Sequence, residues 1–215
     1  EVKVIEPGDK LYPKRTKPFG VGVDLEANAH YEVTRTTKSG VSYKTHYYTD
    51  ASGEVRHVET NSKAVTGELN PDLRQPYPNA TYTVDGRFHY TTDKWARTVR
   101  MEVDVLGDVG ERFRSRSDAV QKRVKDYGND LASEYDTTYN GGHVAGARSG
   151  GPSEEINTVT MLEEVNQYLV DSQLESYKMF EEDIAANPEN FRNLVVEFKY
   201  PEPAGPEFTP ADKVP

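Results

Sequence analysis

The chain contains no cysteine, which excludes disulfides and thiolate metal sites and fits a protein that works in a reducing cytosol. No stretch approaches the ~20 apolar residues that a membrane span needs. Hydrophobic residues make up only 35% of the 215-residue chain, enough for one full domain plus a modest appendage. The core must therefore be economical, with the 14 tyrosines helping to build it. The opening residues, E-V-K-V-I-E-P-G-D-K, lack both a methionine and the apolar centre of a signal peptide. Glu1 thus reads as a cut boundary, and the chain as the end of something longer. Positive charge is scarce too, with 26 Lys and Arg against 36 Asp and Glu and a net charge of −10. That balance argues against a nucleic-acid binder, because phosphate contacts need cations. The distribution softens the objection. Residues 111–125 concentrate Arg112, Arg114, Arg116, Lys122, Arg123 and Lys125, whereas acid gathers at Glu154–Glu155, Glu163–Glu164 and Glu181–Asp183. A basic groove on an acidic body is one reading of 111–125, and an ordinary solvated helix is the other.

What is present falls into an ordered series of elements. Residues 1–28, with Pro7, Pro13 and Pro18, read as a linker or lead-in, and residues 29–215 as the domain proper. H-Y-E-V-T-R-T-T, V-S-Y-K-T-H-Y-Y-T-D and E-V-R-H-V-E-T are strand-like and separated by K-S-G and A-S-G turns. The alternation of Val41, Tyr43, Thr45 and Tyr47 predicts a meander with one buried side. Residues 61–80 are polar and read as a long loop. A-T-Y-T-V-D-G-R-F-H-Y predicts a hairpin turning at Asp85–Gly86, and K-W-A-R-T-V-R-M-E-V-D-V a further strand with a bulge near Thr98. Ser117 caps a helix expected to reach Asp126 and to end at Tyr127–Gly128. Beyond Asp136 the pattern is strand (G-H-V-A-G-A), turn, strand (N-T-V-T-M-L), then a helix from Glu163 to Ala186 with a break near Asp171–Ser172. N-L-V-V-E-F-K-Y closes as a strand, and the proline-rich tail runs extended.

The chemistry concentrates between Asn140 and Asn166. His143 lies between glycines and an apolar pair, where absent side chains leave room for a phosphate and its attacking water. An imidazole with a pKa near the working pH accepts a proton well; a lone histidine in a strand is more often simply held by a carbonyl. Asn166 falls in a helical stretch that disfavours asparagine. Its amide oxygen suits a hard cation such as Mg²⁺, which keeps most of its waters. Asn157 is either a substrate contact or the residue that closes the hairpin. Arg148 either grips a non-bridging phosphate oxygen or pairs with Glu154 or Glu155. Arg114 and Arg116 could hold a nucleic-acid backbone without reading bases. His30, His46, His57 and His89 lie in strands without such company and are read as structural.

G-G-H-V-A-G-A-R-S-G-G, I-N-T-V-T-M and V-N-Q together resemble the DNA/RNA non-specific endonuclease family, the ββα-metal (His-Me finger) nucleases, and within it the bacterial polymorphic-toxin branch. The resemblance implies an α+β fold in which a twisted antiparallel sheet carries a ββα-metal motif. It makes His143 the general base, Asn157 the hairpin asparagine, and Asn166 the ligand of Mg²⁺ or Mn²⁺. S-Y-K-M-F-E resembles the family's later helical acid and points to Glu181, with Glu175 as the fallback. S-R-S-D-A-V-Q-K-R-V resembles the Arg-then-Gln helix that precedes the motif, and N-F-R-N-L-V-V-E-F-K-Y-P its closing strand. Asn140 departs from the family, which carries Asp there. The implied activity is metal-dependent hydrolysis of DNA, or of RNA, with little sequence preference. The implied setting is the toxin domain of a secreted bacterial effector acting in the cytosol of a target cell, with a cognate immunity protein in its producer. The rival expectation is a catalytically inactive nuclease-like module that binds or serves as a secretion adaptor.

Overall fold

The computed structural model describes residues 1–12, 19, 23–37, 39–104, 116–131, 138–167 and 176–200. Its strands are β1 (Val2–Ile5), β2 (His30–Thr36), β3 (Ser42–Thr49), β4 (Val55–Thr60), β5 (Thr81–Val84), β6 (Phe88–Thr92), β7 (Thr98–Val103), β8 (Tyr139–His143), β9 (Thr158–Leu162) and β10 (Leu194–Glu197). Its helices are α1 (Lys63–Thr66), α2 (Asp118–Leu131), α3 (Glu163–Asn166) and α4 (Tyr177–Ala186). A twisted, mostly antiparallel sheet runs in the order β1-β2-β3-β4-β5-β6-β7-β10, and β8 and β9 form a separate hairpin. The fold is thus α+β.

Period-two alternation gives the large sheet two unlike faces. Tyr43, Thr45 and Tyr47 point inward with Tyr31, Val33, Val58, Tyr82, Val84, Phe88, Tyr90, Met101 and Val103. The tyrosine-rich core expected from composition is real: Tyr31, Tyr43, Tyr47, Tyr82 and Tyr90 are each 2% exposed or less. Val144, Ile156, Val159 and Met161 of the hairpin region and Ile184 of α4 join this core, which seats the smaller motif on the inner face. The other face carries His30, His46, His57 and His89. There His30 stacks on Tyr48 with centroids 4.2 Å apart and reaches His46 at 3.0 Å. Four of the five histidines are thereby accounted for on the outer side of the sheet.

Three expectations need correction. Part of the 1–28 lead-in is built into the fold: β1 pairs in parallel with β2, and Phe19 packs edge-on against Tyr31 and Tyr47. A four-residue strand is too short to display a period, which hid it. The 61–80 segment is a crossover rather than a plain loop. β4 and β5 are parallel neighbours, and parallel strands need a dozen or more connecting residues. This connection carries α1 and a 3₁₀ turn at Pro71–Leu73, with Asn70, Asp72 and Leu73 all buried. Finally, α2 runs through Gly128 to Leu131. A Cβ at Gly128 would collide with the Thr160 methyl, so this glycine lets the helix lie close on the hairpin instead of ending it.

Smaller features follow the expectation. Asp85 and Gly86 take left-handed φ values of 57° and 67° in the β5–β6 turn. Thr91 faces Arg100 while Thr92 faces Thr98, which leaves Val99 as a bulge. Trp95, however, belongs to the β6–β7 turn rather than the strand. The helix expected from Glu163 to Ala186 is two described pieces, α3 and α4; the predicted break at Asp171–Ser172 lies outside the described residues, as do Val105 and the proline-rich tail.

Candidate active site

The N-G-G-H stretch makes up the last four of the five residues of β8 and pairs antiparallel with β9, His143 opposite Thr158. The exit from this strand is fixed by Asn157. Its backbone carbonyl accepts the Val144 N–H at 2.8 Å, and its Oδ1 accepts the Ala145 N–H at 2.8 Å and the Tyr90 hydroxyl at 2.9 Å. Its Nδ2 donates to the carbonyls of Ala145 (2.8 Å) and Pro152 (2.7 Å). The side chain is 0% exposed and its amide is fully committed. That corrects the substrate-contact expectation for Asn157: it is the residue that shapes the turn after His143. Tyr177 of α4 supports the same segment by donating its hydroxyl to the Val144 carbonyl.

Strand alternation sends His143 towards α2 and Gly142 the other way. On the α2 side, Gln121 Nε2 lies 3.4 Å from His143 Nδ1 and 3.4 Å from the Gly141 carbonyl. His143 Nε2 is buried and has no hydrogen-bond partner among the described residues. Burial, and secondarily the positive charge of Arg116, lower the His143 pKa to about 4, so the ring is neutral at pH 7 and holds a lone pair for a proton.

On the other side, Asn166 Oδ1 lies 2.7 Å from the position a Gly142 Cβ would occupy. Imidazole and carboxamide therefore flank the end of β8 from its two faces. Glu181 of α4 reaches Gly146, where any Cβ would collide with its carboxylate. Burial raises the Glu181 pKa to about 7 against the opposing pull of the Arg116 charge. Its Oε1 is buried without a partner among the described residues. The Asn140 side chain, 8% exposed, also has its Nδ2 buried with no partner among the described residues.

These donors fit a hydrated divalent cation. No three His, Asp or Glu side chains converge as metal ligands among the described residues. A carboxamide oxygen against Gly142 and a carboxylate with an unsatisfied oxygen against Gly146 are the hard, sparse donors that suit a cation keeping most of its water. The structure thus gathers His143, Asn166 and Glu181 around residues 142–146, with Arg116 close enough to bias the titration of both His143 and Glu181. Arg148 is exposed in the 3₁₀ turn that follows. Arg114 and Glu175 lie outside the described residues. Sequence reading did not assign Gln121 or Tyr177 a role. The Arg-then-Gln echo pointed at the first, whereas nothing local marks a tyrosine that reaches across from another helix.

Against known proteins, the model of the DNA/RNA non-specific endonuclease family matches residues 78–200, which hold all of these side chains. No curated protein matches the chain.

Proposed function

The chain belongs to the DNA/RNA non-specific endonuclease family, and from that premise we propose that it hydrolyses DNA phosphodiesters, and RNA as well, with little regard to sequence. What supports this reading is a neutral imidazole at the glycine-lined end of β8, with a carboxamide lying against Gly142 and a half-buried carboxylate against Gly146. His143 takes a proton from the attacking water. A phosphate entering beside the ring raises its proton affinity from the low resting value towards the range in which a base works best. Arg116, and Arg148 from the exposed turn, grip non-bridging phosphate oxygens as charge builds on them. Arg114 extends the same contacts along the backbone. Asn157 keeps the turn that carries His143 in place. Asn166 and Glu181 are the residues that would hold Mg²⁺ or Mn²⁺, which when bound neutralises the scissile phosphate and stabilises the leaving 3′ oxygen. The hairpin β8–β9 followed by α3 is the ββα-metal motif in this reading.

We take residues 29–215 as the nuclease domain, with β1 and Phe19 of the lead-in packed onto its sheet; the 61–74 segment belongs to it because β4 is bonded to β5 and that segment is tied into the hairpin. We further propose that the domain is the toxin of a secreted bacterial effector, active in the cytosol of a target cell. Unspecific cleavage kills from within, so the producer would carry a cognate immunity protein.

Plasmid nicking tests the core of the reading. Nicking in Mg²⁺ that stops with EDTA is expected, with a loss of about 10²- to 10⁴-fold in His143→Ala. Full cutting by a folded His143→Ala protein would overturn the mechanism.

A further inference from the structure

The family match begins at residue 78, yet the crossover before it reaches Arg116. α1 is four residues long, far too short to hold itself in water. It is pinned at both sides. The Ser62 N–H donates to Asp85 Oδ1 at 2.7 Å, and the Lys63 N–H donates to Glu154 Oε1 at 2.8 Å. Asn70, at the far end of the same segment, donates its N–H to the same Glu154 oxygen at 2.8 Å. With its backbone fixed this way, Lys63 extends its Nζ to the carbonyl of Arg116, 3.0 Å away.

Arg116 is the cation whose field reaches both His143 and Glu181. Next along, Arg74 of the crossover and Arg123 of α2 share one carboxylate, that of Glu155. Burial and the nearby Arg74 charge lower the Arg123 pKa, and its Nε is buried without a partner among the described residues. Lys63 and Arg116, and Arg74 and Arg123, thus form two neighbouring cation pairs beside the acids Glu154 and Glu155, on a chain whose net charge is −10. Like charges held together by a fixed backbone cost free energy unless a polyanion relieves them.

We propose that α1 forms a lip of the nuclease cleft and that Lys63 holds a backbone phosphate of the nucleic acid beside the one gripped by Arg116. This rests on the nuclease reading above and extends it to residues outside the family match. The lip adds affinity without base preference, since it offers charge and no edge-reading donor pair.

The test measures binding rather than cutting. His143→Ala protein is titrated into a labelled DNA duplex in EDTA, by fluorescence anisotropy, over a salt series. Adding Lys63→Gln should lower the slope of log affinity against log salt by about 0.9, so that a fourfold rise in salt narrows the gap between the two proteins by about 3.5-fold. Lys63→Arg should restore the slope. Lys44→Gln, which removes the same charge from the Glu32 pair on the outer face of the sheet, should leave it unchanged. Circular dichroism checks that each variant is folded. If Lys63→Gln matches Lys44→Gln while the parent binds, the lip is refuted and the nuclease reading stands. If the parent does not bind DNA at any salt concentration, both fail together.

Discussion

Glu154→Gln should stabilise the protein above neutral pH and change it little near pH 5. Glu154 is 0% exposed; one oxygen accepts the N–H groups of Lys63 and Asn70, and the other has no partner among the described residues. Burial, with the nearby Asp85 charge adding to it, raises its pKa from 4.5 to about 7, against the pull of its backbone hydrogen bonds. An unfolded chain releases this proton near 4.5, whereas the folded chain keeps it until about 7. Folding therefore takes up a proton in that window, and stability falls as pH rises through it. Above the window the deficit is about 3 kcal/mol. Glutamine keeps the shape and the acceptor for both N–H groups but never ionises. It leaves a buried NH₂ without a partner, which costs about 1 kcal/mol. The expected net gain is about 2 kcal/mol at about pH 8, with a loss of about 1 kcal/mol or less near pH 5. Urea unfolding of both proteins across this range gives the difference directly. Glu181, with its raised pKa, and His143, with its lowered one, slope in opposite senses with pH, but both are present in each protein and cancel in the difference. A stability difference that stays flat with pH would refute the argument.

Other outcomes follow from the same geometry. Asn157→Ala should cost about 3 kcal/mol in denaturant unfolding, because it strands the Tyr90 hydroxyl, the Ala145 N–H and two buried carbonyls. Gly146→Ala is compatible with the backbone (φ −63°, ψ 153°), so it should leave the melting temperature nearly unchanged while displacing Glu181 and cutting nicking at limiting Mg²⁺. Asn166→Ala should raise the Mg²⁺ concentration needed for half-maximal nicking by about 10-fold or more, with partial recovery at high Mg²⁺; an unchanged Mg²⁺ requirement would remove Asn166 from the cation's shell.

Local order was readable wherever a pattern of two or a turn dipeptide carried it. The meander of β2, β3 and β4, the Asp85–Gly86 turn, the bulge near Thr98 and the closing β10 all announce themselves over a few residues. The stretch around His143 stood out by its glycines, although its strand boundary did not. What escaped was non-local. Gly128 has the look of a helix stop and is in fact a packing surface for Thr160, a partner 32 positions away. β1 and the crossover owe their structure to neighbours in space: Glu154 binds N–H groups 84 and 91 residues from it. Asn157 was read as either contact or support, and only the count of its hydrogen bonds decides between them. The strand carrying His143 also ends at that residue instead of starting there, because the Asn157 amide captures the backbone just beyond.

The parallel seam between β4 and β5 bears on how the gene could be trimmed. A fragment cut to residues 78–200 would start immediately ahead of β5 and leave that strand with a bare row of amides where β4 had been. Such an unguarded border invites neighbouring molecules to stack onto it. The same cut would deprive Glu154 of both its donors. Soluble, active material should therefore require the upstream meander, even though the residues nominated for chemistry all lie downstream of it.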